Sequence, residues 1–178
     1  MKLPNLPRNA EEFKTLRDQL AVTPEGGAAM FVAALKLYSS NPEEGIKCLV
    51  MQRDINDLMQ TSGANSYMGY ALNNSEFSLL KSQLSKQKYL PDSYFTGALP
   101  ANNYTVPPGE AGLEITTNPY SGDPESGKVK VFVRSSGADT PRPVAMSRND
   151  KGLWKVKEYS SLIVGIRKAA SEERQDNL

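Results

Sequence analysis

The chain has 178 residues, 21 Lys and Arg against 20 Asp and Glu, a net charge of +1 and 39 % hydrophobic residues. This length fits one domain, which buries roughly 70 % of its unfolded surface and needs no metal or disulfide staple. The absence of His excludes Ser-His-Asp and Cys-His nucleophiles, His-ligated zinc, haem on a proximal His and imidazole acid–base work.

The first half is patterned for helices. Pro4 and Pro7 make residues 1–8 an extended lead-in. Asn9 with Glu12 has the spacing of a capping box, and Phe13, Leu16 and Leu20 mark one apolar face, predicting a helix near 10–21. Thr23-Pro24-Glu25 opens a second helix, ending near Ser39-Ser40: a cap, a Pro at the first helical position and an acid at the positive end of the dipole. Its run from Ala28 to Leu35 is apolar on all sides, so this helix is expected at the centre. Asn41-Pro42-Glu43-Glu44 repeats the start signal for a third helix near 42–58, which implies a tight corner. Residues 60–70 read as a loop. Asn73 and Glu76 then start a fourth helix running to about Gln87, with Leu72 and Phe77 as a hydrophobic staple.

From Tyr89 the pattern changes. Residues 89–97 are aromatic and short and predict a strand; Tyr104-Thr105-Val106 predicts a short extended piece, and Leu113 to Thr117 another strand. Residues 118–127 are turn-rich. Lys128 to Arg134 alternates, with valines on one face and Lys and Arg on the other. Residues 144–148 and 153–157 form a hairpin around Asn149-Asp150-Lys151-Gly152. Leu162 to Ile166 reads as strand or short helix, and 168–178 as a flexible tail.

The expected fold is a single α+β domain: four N-terminal helices (about 9–87) packed on a C-terminal antiparallel sheet of four to five strands (about 89–167). The near-zero net charge makes no case for nucleic acid or an acidic membrane surface. The longest apolar run falls far short of the roughly 20 residues of a membrane span, and no signal peptide is visible. The lone Cys48 cannot form an internal disulfide, so the expected compartment is the cytoplasm. No cofactor and no metal are expected.

The segments TPEGGAAMFVAAL (23–35), NPEEGIKCL (41–49), YLPDSYFTGALPANNY (89–104), FVRSSGADTPRPV (132–144) and RNDKGLWKVKEYSSLIVGIR (148–167) together resemble an uncharacterised bacterial family, labelled only as a domain of unknown function. The resemblance covers about residues 3–168. It implies a bacterial protein and supplies no activity, cofactor or catalytic residues. Locally, the hairpin ending in G-x-W-K-V is similar to one that closes nuclear-transport-factor-like domains.

The connector Ser135, Ser136, Gly137, Asp139 and Arg142 offers hydroxyls, free N–H groups and a guanidinium that can hold a phosphate or carboxylate. The same groups can instead satisfy the connector's own backbone. Tyr94 and Tyr104, in the aromatic cluster, can line a pocket or cover the sheet edge. Gly26 and Gly27 fit either an anion at a helix start or close packing. Trp154 and Cys48 are expected in the core.

No catalytic set is evident. The loops between 89 and 143 are long for a compact domain, which points to a non-enzymatic module binding a protein or peptide through its β half. The alternative is a small-molecule or anion-binding domain centred on 135–142, with weak catalysis at most. Nucleic acid on the basic strand face is the least favoured partner.

Overall fold

The computed structural model describes residues 1–174 and 178. The lead-in is not simply extended chain: Lys2–Leu3 (β1) pairs with a short strand more than a hundred residues away. Asn9 accepts the Glu12 N–H at 2.9 Å and starts α1 (Ala10–Leu20), whose Phe13 and Leu16 are buried. Thr23 does the same for Gly26 at 3.0 Å and starts α2 (Pro24–Ser40), buried at every residue from Gly26 to Leu35. The corner into α3 (Pro42–Gln52) is tight because Gly45 lies against Tyr38. A Cβ at Gly45 would sit 2.1 Å from the Tyr38 Cα.

The third helix ends at Gln52 rather than near 58. Asp54 accepts the Asn56 N–H, a local bond that competes with the helix. Arg53 donates through NH1 to the carbonyls of Val156 and Lys157 at 2.7 and 2.8 Å and pairs with Val156 as a parallel bridge. A 3-10 turn at Ile55–Asp57 follows, and the expected loop holds a hairpin of β2 (Leu58–Gln60) and β3 (Tyr70–Leu72). The fourth helix, α4 (Asn74–Lys86), starts where its cap Asn73 places it.

The expected strand at 89–97 is absent. Residues Asp92–Tyr94 form a 3-10 turn, and only Phe95 bridges, to Leu113. Residues 104–106 form no strand either, since Asn103 and Tyr104 adopt left-handed φ of +56° and +52°. Tyr94, Phe95 and Tyr104 each drive into the interior, and the backbone turns to deliver them. The Leu113–Thr117 strand is divided: β4 (Ala111–Gly112) joins β1, and β5 (Ile115–Thr116) joins the main sheet.

That sheet is antiparallel in the order β5–β6–β7–β8, with β6 (Lys128–Val133), β7 (Arg142–Arg148) and β8 (Trp154–Glu158). Val129, Val131 and Val133 point inward while Lys128 and Lys130 are exposed, as the alternation requires. Residues 162–166 are no strand: Ser160–Ile163 is a 3-10 turn. The tail from 168 is held in part, with Ala169 buried and Ala170–Glu172 in a 3-10 turn; residues 175–177 lie outside the described residues.

The architecture is α+β, but the helices do not all lie on the sheet. α2 packs across β5 to β8, α1 packs on α2 and α3, and α4 meets the 160–163 turn. Contact between α2 and β8 is close because Gly27 has no side chain: a Cβ there would meet the Trp154 carbonyl oxygen at 2.5 Å. One apolar cluster runs from Leu3 through α2 to Trp154 and Ile163 and joins both halves of the chain. Among the described residues no helix is long and apolar enough to cross a membrane.

Candidate functional site

The connector residues turn inward. Ser135 Oγ donates to Ser93 Oγ at 2.7 Å and accepts the Gly137 N–H at 3.1 Å. Ser136 Oγ donates to the Ala98 carbonyl at 2.6 Å. Arg142 belongs to β7, where its guanidinium donates to Tyr94 Oη at 2.9 Å and to the carbonyls of Val164 and Gly165. Tyr94 Oη in turn donates to the Leu162 carbonyl, and Tyr104 Oη to that of Arg167, both at 2.6 Å. Asp139 pairs with Arg167 at the surface. Tyr94, Tyr104, Asp139, Arg142 and the Gly137 carbonyl, which accepts the Arg167 N–H at 3.0 Å, therefore fasten the 160–167 segment to the body of the protein, while the Ser135 and Ser136 hydroxyls tie the connector to residues 93 and 98. Of them, Tyr94 and Ser136 border a small cavity of about 140 Å³, shared with Arg134 and Glu114. Gly26 and Gly27, likewise, serve close packing.

The larger cavity, about 590 Å³, lies elsewhere and draws on both halves of the chain. Its volume is that of a small-molecule cleft. One wall is α1, through Lys14 and Arg17, and another is the end of α3 with residues 53–56. The β2–β3 hairpin and the β7–β8 hairpin, from Ser147 to Lys155, close it. The early stop of α3 makes this possible: a helix continued to 58 would not leave residues 53–57 running beside β8.

The cleft is basic, with six cationic side chains against two carboxylates, Asp54 and Asp150. Lys14 and Arg17 share Asp18, which lies 2.7 Å from each. Arg17 and Lys155 both donate to the Met51 carbonyl at the negative end of α3. Burial, reinforced by Arg17, pushes the Lys155 ammonium down to about 8. Ser147, the direct cross-strand partner of Lys155, donates to Asp54 Oδ2 at 2.5 Å. Burial raises the Asp54 carboxyl, but the Ser147 hydroxyl and the Asn56 N–H hold it below its ordinary value. Arg148 stacks over Trp154, its Cζ 5.6 Å from the ring centroid.

The lining also carries apolar side chains, among them Val50, Leu58, Tyr67, Met68 and Tyr70. Tyr67 and Tyr70 exchange backbone hydrogen bonds around Met68-Gly69, whose φ values of +52° and +83° suit a two-residue hairpin turn. Met68 is 79 % exposed at the rim. Among the described residues no group of three or more Cys, Asp or Glu is arranged to hold a metal. Cys48 is buried, and desolvation pushes its thiol up to about 12.

The cleft residues escape sequence reading as a group because they come from four separate segments; Arg148, Lys151 and Lys155 stand out in the sequence only as part of a locally basic β half. The one local hint is Met68-Gly69, where Asn-Gly would be the usual turn.

The chain belongs to the family described as "Domain of unknown function (DUF6935)", whose model matches residues 5–170. No curated protein and no solved structure matches it.

Proposed function

We propose that this domain binds a small organic anion with an apolar body, in the cleft between α1, the end of α3 and the two hairpins. The observation that carries the reading is one cavity of about 590 Å³ whose lining combines six cationic side chains with apolar ones from α3 and the β2–β3 hairpin. Charge-assisted contacts would fix the anionic end, and the Tyr67, Met68 and Tyr70 side would take the apolar body. The inward contacts of 135–142 favour this location over the connector.

Trp154, the sole tryptophan, stands between the cleft-lining Leu153 and Lys155 and under Arg148. It is buried and not itself part of the lining, so its emission is expected to respond through Arg148, and calorimetry of the same titration gives a reading independent of it. Titration with octanoate should change the emission saturably, octanol should bind about tenfold more weakly for want of the charge, and octylammonium should not bind. Equal responses to all three, or none, would remove the reading. A protein partner offering an acidic peptide is a second reading, favoured by the exposed Ile55 and Met68 at the rim. An acidic peptide that binds where octanoate does not would select it.

A further inference from the structure

We propose that Lys155 is a nucleophilic amine that captures a carbonyl compound with an apolar tail as an imine inside this cleft, an inference that rests on the cleft being a ligand site. Lys155 is half-buried and lines the cavity. Its contact is the Met51 carbonyl oxygen, and among the described residues no carboxylate forms a salt bridge with it. The other ionised groups that act on it are Arg17 and Asp18 from α1, Lys151 from the β7–β8 hairpin and Asp54 after α3. Burial and the two cations outweigh the two carboxylates and bring the ammonium to about 8, so far more neutral amine is present near pH 8 than for an ordinary lysine. Ion-paired lysines such as Lys47 and Lys157 have the opposite setting, and their ammonium groups are raised.

Included in the proposal is a proton relay through the neighbouring strand. Ser147 stands opposite Lys155 on the same sheet face and is hydrogen-bonded to Asp54. The neutral Lys155 nitrogen attacks the carbonyl carbon; an N–C bond forms and the C=O π pair moves to oxygen. A proton passes from the new ammonium, by way of Ser147 and Asp54, to that oxygen and gives a carbinolamine. A second proton, taken from solvent, lets the oxygen leave as water while the nitrogen lone pair closes the C=N bond, and the iminium so formed returns one proton to solvent. Amine plus carbonyl becomes imine plus water, with no oxidant or reductant. The apolar side chains of the lining hold the tail of the compound and limit return of water.

The test is to incubate the whole chain at pH 8 with hexanal or 2-oxooctanoate and sodium cyanoborohydride, and to map reduced adducts by peptide mass spectrometry. Label should concentrate on Lys155 about tenfold or more over any other lysine, because an ordinary lysine is almost wholly protonated there. Octanoate should protect it, and Asp54→Asn should slow it. Lys155→Arg should abolish site-selective label. Adducts spread evenly over surface lysines would overturn the proposal whatever the fate of the variants. If octanoate still quenches Trp154 while Lys155 stays unlabelled, the imine falls and the binding site stands; if neither occurs, both fall.

Discussion

Ser147 and Lys155 are direct partners across β7 and β8, and among the described residues only one of them reaches a carboxylate: Ser147 bonds to Asp54, while Lys155 donates to the carbonyl of Met51. A lysine whose ammonium group is lowered to about 8 in the folded protein destabilises the fold wherever the unfolded chain keeps its proton. The unfolded chain binds more protons than the folded one between pH 8 and about 10.4, so the stability of the fold at this site rises with pH through that window. Lys155→Met should therefore be more stable than the wild type at pH 7, by on the order of 1–3 kcal/mol. The gain should shrink steadily above pH 8. Urea midpoints of both proteins from pH 6.5 to 10 measure the difference; a gain that does not vary with pH would contradict it.

A second buried charge is compensated and should behave in the opposite way. Arg53 Nε lies 2.8 Å from Glu76 Oε1, and its Cζ lies 5.0 Å from the centroid of the Tyr159 ring. Tyr159 Oη donates to the same Glu76 oxygen at 2.7 Å. Glu76→Gln leaves the Arg53 guanidinium buried without a counter-charge and should cost about 3 kcal/mol. Tyr159→Phe removes one hydrogen bond and should cost about 1 kcal/mol. Thermal or urea unfolding ranks the two, and a cost for the glutamate no larger than that for the tyrosine would refute the account.

Gly27 tests the packing of α2 on the sheet. Alanine is the better helix former by about 1 kcal/mol, yet its Cβ would fall 2.5 Å from the Trp154 carbonyl oxygen and 2.8 Å from Met146 Cε. The backbone contact cannot yield without moving β8, so Gly27→Ala should destabilise by about 2–3 kcal/mol. Gly63, whose nearest neighbour would be Thr61 Oγ1 at 3.5 Å, provides the control. Gly63→Ala should stay within about 0.5 kcal/mol of the wild type in the same denaturation assay.

These positions also mark where sequence reading succeeds. Asn9, Thr23, Asn41 and Asn73 each accept the N–H three residues on, so four helix starts were readable from cap chemistry that acts within one turn. The valines of β6 were readable for the same reason, since their alternation is local. The end of α3 was not: Leu58 continues the apolar spacing, but Arg53 is claimed by carbonyls at 156 and 157. Tyr94 and Tyr104 looked like candidate pocket residues because their acceptors, the carbonyls of Leu162 and Arg167, lie more than sixty residues away. The cleft combines both difficulties. Arg17 sits within the pattern of an amphipathic helix and Lys155 on an outward strand face, and tertiary structure alone brings them to one carbonyl.

Met68 separates stability from binding. It occupies the first position of a two-residue turn at φ +52°, a conformation in which Asn is favoured and a long apolar side chain is not. Met68→Asn should relieve that strain and raise stability by about 0.5–1 kcal/mol. The same change removes an exposed apolar group from the rim of the cleft and leaves the cationic side chains intact. Octanoate affinity, read from Trp154, should then fall several-fold, by roughly the transfer energy of one or two methylenes. Binding of a short anion such as acetate should not change. If Met68→Asn stabilises the fold and octanoate binds as before, the β2–β3 hairpin does not hold the ligand, and the occupant must be sought around Arg17 and Lys155 alone.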